Sequence, residues 1–352
     1  MKAIITQRIR RVICLICLYS ILTFPAQAAS TFSVNPKETY TYGKMVQDIR
    51  ELTNKYPDII QVKIIGKSEY GRDLYAIGLG TGPATVMING AHHAREWLTS
   101  TLTMHMLEQY AYAYVNGTKI GGYDPHTILD QSTIWFVPMV NPDGVTLQQS
   151  GLTEFPKSVH TALISMNDGS RDFKKWKANA KGIDLNRQYE GLWTRSPSPT
   201  RPWYKNFSGT TPVTAAETKA LVTFTRSIDP EMTIAYHSSG RILFWDFYQT
   251  GSVRARDLAY AKALHNLTGY ALVSRTAGGN GGYKDWFVTA YHRPGFTIEI
   301  GPVVGETSLP LSCFAEEWRR NQAVGLYAAQ ESARLYEARQ PAIQKGEPLP
   351  KP

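Results

Sequence analysis

Residues 84–98 read ATVMINGAHHAREWL. ATVMI is an apolar run of strand length, and an amphipathic helix pattern follows from about Glu96 to Val115. A strand that is apolar throughout is one buried on both faces of a sheet, with helices as the cover. Between strand and helix stand His92, His93, Arg95 and Glu96. Such a cluster is either a solvated helix start or part of a metal site, and the stretch alone does not decide.

Outward from it, strands and helices alternate. TYGKMVQDIRELTNKYP places Met45, Val46, Ile49 and Leu52 at helical spacing, with Pro57 as the stop. IIQVKIIG and RDLYAIGLG form a hairpin around KSEYG, and STIWFVPMV is a strand ending in the turn NPDG. A loop-heavy section from about Gly144 to Pro212 precedes a helix at AAETKALVTFTRSI, which Thr214 and Glu217 are expected to open as a capping box. EMTIAYH and RILFW read as strands, then a helix from about Ser252 to Leu267, the strand GFTIEI, and a helix from about Ser312 to Ala338. No internal repeat, heptad run or linker interrupts this order, so it predicts one layered α/β domain. Its expected limits are residues 29–340, with a mobile Pro-rich tail at 341–352.

Lys2, Arg8, Arg10 and Arg11, the apolar VICLICLYSILTF and the small-residue AQA make residues 1–28 a signal peptide cleaved after Ala28, the alternative being an uncleaved anchor. The apolar run is too short to span a bilayer comfortably. Export is therefore expected, with no membrane anchor after cleavage. Removing the leader leaves 34 basic against 29 acidic residues, a net charge of +5 instead of +9, and Cys313 as the one remaining cysteine of three. With no internal disulfide, stability must come from a sizeable core. At 43% hydrophobic and 19% charged residues the composition is that of a globular protein, and no basic, aromatic-interleaved stretch points to nucleic acid. No G-x-S-x-G elbow supports a serine hydrolase.

Three strands run into reactive side chains: ATVMI into His93 and Glu96, EMTIAY into His237, and FTI into Glu299. Ligands gather where strand ends meet loops in open α/β sheets. His93 and Glu96 are three apart, share a face across one helical turn, and with His237 would make a two-histidine, one-carboxylate zinc set that leaves a fourth position open. His93 with Glu96 alone also suits a polar helix start, and His237 alone a satisfied strand-end histidine. Glu299, inside an apolar strand, costs desolvation unless it is paired or functional.

HAREW, NPDG, DLNR, AYHSSG and FTIEI occur here in the order and spacing of the zinc metallocarboxypeptidases of the carboxypeptidase A type, and the resemblance spans the chain from the first helix to the last. It implies a single-domain α/β/α sandwich around a mixed, mostly parallel twisted sheet. It also implies one Zn2+ held by His93, Glu96 and His237, and Glu299 as general base. Asp184 resembles the carboxylate that orients His93. Asn186 and Arg187 resemble the pair that grips a terminal carboxylate, and Arg95 a further substrate contact. The Ser238–Ser239 peptide is expected to be cis. Where the family has an oxyanion-stabilising arginine after a tryptophan, Lys177 follows Trp176. The family's mobile pocket tyrosine has no clear match: counting back from Glu299 lands on Ala277, and Tyr283 is the candidate stand-in. Lys284, just before Asp-Trp, falls where the family tunes the preferred terminal side chain, and its ammonium suits a carboxylate there; it could equally pair with Asp285 or reach solvent.

WKANAKGIDLNRQY and AYHSSGRILFW look most like the bacterial branch that cleaves γ-D-glutamyl-diamino acid bonds of cell-wall peptides. That resemblance, with no activation segment after the leader, implies a monomeric, secreted or wall-associated peptidase acting on peptidoglycan stem peptides. A general carboxypeptidase for ordinary peptides is the alternative. A catalytically silent binding protein is disfavoured because every ligand and Glu299 are present.

Overall fold

Val86 and Ile88 point to one face of strand β3 (Ala84–Asn89) and Met87 to the other, and all three are fully buried. The same two-sided burial holds for β4 (Ser132–Val137), so both strands need helices above and below. The computed structural model describes residues 32–195, 198–273 and 281–344. In it β1 (Ile60–Lys67), β2 (Asp73–Leu79), β3, β4, β5 (Met232–Ser238), β6 (Ile242–Phe244), β7 (Ala271–Val273) and β8 (Gly295–Ile300) form an eight-stranded sheet. Their order is β1-β2-β4-β3-β5-β8-β6-β7. The centre, β4-β3-β5-β8, is parallel; β1 and β2 join antiparallel on one side, and β6 pairs antiparallel with β8 on the other.

Helices α1 (Tyr42–Lys55), α2 (Leu98–Asn116), α3 (Pro125–Gln131), α7 (Gly251–Thr268), α9 (Phe314–Asn321) and α10 (Val324–Gln344) bury apolar side chains with Ile88, Ile134, Ile234 and Ile298 on one face. Helices α6 (Ala216–Ile228) and α8 (Tyr283–Tyr291) pack with Met87, Trp135 and Ala235 on the other. The layered arrangement is the one expected.

Several local expectations are overturned by tertiary partners. NPDG does not end a strand in a turn. Asn141 accepts a hydrogen bond from Gly144 N, and Pro142 opens α4 (Pro142–Ser150), with α5 (His160–Met166) following inside the supposed loop section. The capping box does not form. Ala215 stands at the N-cap of α6, Glu69 from the β1–β2 turn accepts from Ala216 N, and Thr214 turns to Gln188. Helix α2 is buried nearly all round rather than amphipathic, and even Glu108 lies inside, accepting from Ser33 N and Val34 N. The last helix is split: Tyr110 OH donates to Gln322 O and accepts from Gly325 N, closing off α9 and starting α10 anew. Helix α10 continues through Pro341 to Gln344, past the expected boundary at 340. The signal peptide and the rest of the tail lie outside the described residues.

Glu217, displaced from its capping role, is buried against Asn179 Nδ2 at 3.1 Å and Glu69 N at 3.3 Å. Burial, with the charges of Asp143 and Glu69 adding to it, pushes its carboxyl from 4.5 up to about 8. The folded state then keeps a proton that the unfolded chain releases, so this group's stabilisation is complete at low pH and is lost as pH rises through about 8. Denaturant unfolding from pH 5 to pH 9 should show wild-type stability falling over that window more steeply than that of Glu217→Gln. Parallel pH profiles for the two proteins would refute the assignment.

Candidate metal centre and active site

After β3 the chain is pinned on all sides. Gly90 N donates to Val137 O, Asn141 N to Ala91 O, and Ala94 N to Lys177 O. Thr99 Oγ1 accepts from Ala91 N and donates to Glu96 O. Asn141 Nδ2 lies 3.1 Å from both His92 O and Ala178 O, bridging this loop to the DLNR section. His93 is in extended backbone, and Glu96 ends a one-turn 3₁₀ helix, Ala94–Glu96, ahead of α2. A 3₁₀ turn aligns i with i+3, so the shared face expected of an α-helical start is kept by a tighter turn.

His237 comes from the end of β5, in register with Glu299 on β8. His93 Nδ1 lies 2.8 Å from Glu96 Oε1, and His237 Nδ1 lies 2.9 Å from Glu96 Oε2 and 3.1 Å from His93 Nδ1. His93 Nε2 lies 3.1 Å from Asp184 Oδ1; a carboxylate only accepts, so Nε2 carries the hydrogen and Nδ1 presents a lone pair. That lone pair faces Glu96 and His237, both electron-rich, in a buried space. Only a cation or extra protons reconcile three such atoms, and all the ligand atoms lie within 4.8 Å of one another. Two imidazoles and a carboxylate with a fourth position open are the donors of a hydrolytic zinc site, so the residues fit the metal.

The electrostatics agree. Burial alone would raise Glu96, but His93 and His237 outweigh it and hold its carboxyl well below the usual range. Burial likewise opposes charge on Asp184, which Lys177, His93 and Arg187 keep ionised. Glu299 is pushed up to about 7, first by burial and then by the charge of Glu96.

A cavity of about 220 Å³ opens beside the cluster, lined by His93, Asp184, Asn186, Arg187, Lys284 and Glu299 among others. The chain belongs to the zinc carboxypeptidase family. Its Peptidase_M14 model matches residues 45–323. Among curated relatives, the γ-D-glutamyl-L-diamino acid endopeptidase 1 of Lysinibacillus sphaericus is 33% identical over 298 residues, covering 84% of this chain and 73% of that protein. Among solved structures, thrombin-activatable fibrinolysis inhibitor aligns with a TM-score of 0.68 at 18% identity, over 87% of this chain and 78% of that one. The carboxypeptidase A of Helicoverpa armigera aligns with a TM-score of 0.64 at 18% identity, over 88% and 78%. These two likenesses speak to the fold. A zinc metallopeptidase with one Zn2+ is what the family and the His-Glu-His cluster together establish.

Within this carboxypeptidase fold, the other expected residues fall in different places. The Ser238–Ser239 peptide is cis, as expected. Asn186 Oδ1 accepts from Tyr283 N, and Arg187 Nε lies 3.6 Å from Asp184 Oδ2. Lys177 reaches the cavity, but its ammonium is bound to Asp184 Oδ2 at 2.8 Å and Asn206 Oδ1 at 3.2 Å. Lys284 also lines the cavity while pairing with Asp285 Oδ1 at 2.7 Å, so the pairing read as its alternative is realised. Arg95 does not line the cavity; its guanidinium donates to Lys175 O. Tyr283 is no stand-in for a mobile tyrosine: it is fully buried, its hydroxyl 3.0 Å from Thr225 Oγ1. Ala277 lies outside the described residues.

Sequence reading placed His92 in the cluster after the strand without giving it a role of its own, and missed Tyr189, Asp246 and Phe247. His92 stacks on His237 with ring centroids 5.5 Å apart and bonds Tyr189 OH at 2.9 Å, which buttresses the ligand ring. Asp246 and Phe247 line the cavity, and only the repeated histidine at 92–93 left a trace in the sequence.

His237→Ala should bind well under one zinc per chain after dialysis. Asp184→Asn should weaken zinc by about 10–100-fold, because His93 loses the acceptor that orients it. Metal analysis and chelator competition read both. Full occupancy of the first variant would place the metal elsewhere.

Proposed function

We propose that the chain is an exported zinc peptidase that cleaves the γ-D-glutamyl-diamino acid bond of cell-wall stem peptides. The observation that carries the reading is the 33% identity, over most of both chains, to an endopeptidase named for that bond. A cavity whose lining presents the cations of Arg187 and Lys284 supports it, since a diamino acid such as meso-diaminopimelate carries two carboxylates. The basic and apolar leader supports export; sequencing of the mature protein should begin at Ala29.

Zinc in such a site acidifies a water and polarises a carbonyl. In the proposed roles, His93, Glu96 and His237 hold the ion, and Asp184 keeps the Nε2 hydrogen of His93 in place so that Nδ1 faces inward. Glu299 faces the same space from β8, where its carboxylate accepts the proton of the attacking water and delivers it to the departing nitrogen. Asn186 and Arg187 hold a carboxylate of the released residue, and the planar guanidinium suits a two-oxygen grip. Lys177 adds positive charge beside the scissile carbonyl through a head already shared with Asp184.

Glu299→Gln should retain one zinc and lose roughly 10²–10⁴ in kcat, because an amide cannot take the proton. Activity near wild type would remove Glu299 from that role. Matched γ-D-glutamyl and α-linked peptides decide the substrate class: preferential cleavage of the α-linked series would favour a general carboxypeptidase. On γ-linked peptides, Lys284→Met should lose roughly 30-fold or more in kcat/KM with diaminopimelate at the released position and far less with lysine. Equal losses would make Lys284 a partner of Asp285 alone.

A further inference from the structure

Outside the lining of the cavity, Arg95, Lys205 and Glu306 form a charged cluster, termed the rim. Glu306 Oε1 lies 2.5 Å from Lys205 Nζ and 3.8 Å from Arg95 Nη1, and Tyr204 OH lies 3.4 Å from Glu306 Oε2. The Lys205 ammonium also rests over the rings of Trp203 and Tyr204, 5.4 and 5.1 Å from their centroids. Two cations thus surround one carboxylate, which leaves a positive surplus in a place that solvent reaches: the side chains are 13% (Arg95), 23% (Lys205) and 37% (Glu306) exposed.

The rim is tied to the catalytic centre through the backbone. Lys177 N and Ala178 N donate to Tyr204 O, and Ala94 N donates to Lys177 O. Arg95 sits between the ligands His93 and Glu96 in the chain, and its charge acts on Glu299. Arg187 and Lys284 line the cavity, whereas Arg95, Lys205 and Glu306 do not. A substrate whose released residue fills the cavity would have its scissile bond at the metal ligands His93, Glu96 and His237 and its acyl half outside the lining, where Arg95 directly precedes Glu96 in the chain.

We propose that Arg95 and Lys205 recognise the free α-carboxylate of the glutamyl residue on the acyl side of the bond, with Glu306 as the counter-ion that yields to it. The inference rests on the γ-D-glutamyl reading above. Its chemical basis is the linkage: when glutamate is joined through its γ-carbonyl, the α-carboxylate remains as a free charge on the acyl side, separated from the scissile carbonyl by Cγ, Cβ and Cα. An α-linked peptide with an uncharged residue at that position has no anion there. An α-amidated residue, D-isoglutamine, keeps the shape and loses the charge. The rim would read that difference, and so would separate amidated from unamidated wall peptides.

The experiment compares two γ-linked peptides ending in diaminopimelate that differ only in α-carboxylate against α-carboxamide on the glutamyl residue. Wild type should favour the carboxylate by about tenfold in kcat/KM, the scale of a partly exposed charge contact. That preference ratio should fall below about threefold in Lys205→Gln and rise in Glu306→Gln, where the competing anion is gone. Because the readout is a ratio within one protein, a general loss of active enzyme cancels. Both peptides cleaved equally well by wild type would overturn the rim's role and leave the γ-glutamyl reading standing. An unchanged ratio in both variants would also overturn it. Cleavage of neither peptide alongside cleavage of α-linked ones would overturn the substrate reading and the inference together.

Discussion

Asp184 is a fully buried carboxylate, and the site is arranged around keeping it satisfied. Leaving such a charge unpaired costs several kcal/mol even after relaxation. It is met instead by His93 Nε2, the Lys177 ammonium, Asn186 N and Asn206 N, with Arg187 3.6 Å away. Each partner belongs to a different piece of the site: a metal ligand, the wall of the cavity, the one-turn 3₁₀ helix Leu185–Arg187 and the irregular segment after Lys205. Within the irregular stretch between α5 and α6, Lys177, Asn186 and Asn206 converge on this one anion.

The sheet supplies the other half of the geometry. Parallel pairing of β3, β5 and β8 brings three strand ends to one edge, and the register sets His237 beside Glu299. His93 and Glu96 arrive there because Gly90, Ala91 and Asn141 fasten the turn after β3 to β4 and its following loop. Glu96 then stays charged among the histidines while Glu299, lacking close cationic partners of that strength, is drawn up by burial. Two carboxylates in one buried space thus shift in opposite directions, the one among the histidines down and the other up.

The charges around the cavity form two groups. Arg187 and Lys284 face into it, Lys284 braced by Asp285 and by the Phe247 ring 5.0 Å away. Arg95 and Lys205 share Glu306 outside it. An ammonium already held by a neighbour is oriented before a substrate arrives, so less freedom is lost on binding.

The sequence by itself determined the layers and the reacting groups. Apolar strands ATVMI, TIAY and FTIEI could only be buried on two faces, and their ends delivered His93, Glu96, His237 and Glu299 in an order and spacing that a known family shares. These signals are local and periodic, which is why they were legible. What only the tertiary structure decided were the choices among partners distant in the chain. Glu69 displaced the expected cap of α6, Tyr110 split the last helix, and Thr225 drew the Tyr283 hydroxyl into the core. Lys177 turned to Asp184, Lys284 to Asp285, and Arg95 toward Glu306. A charged side chain in a sequence can reach several neighbours, and the one it takes is set by which buried charge is nearest when the strands and loops have packed.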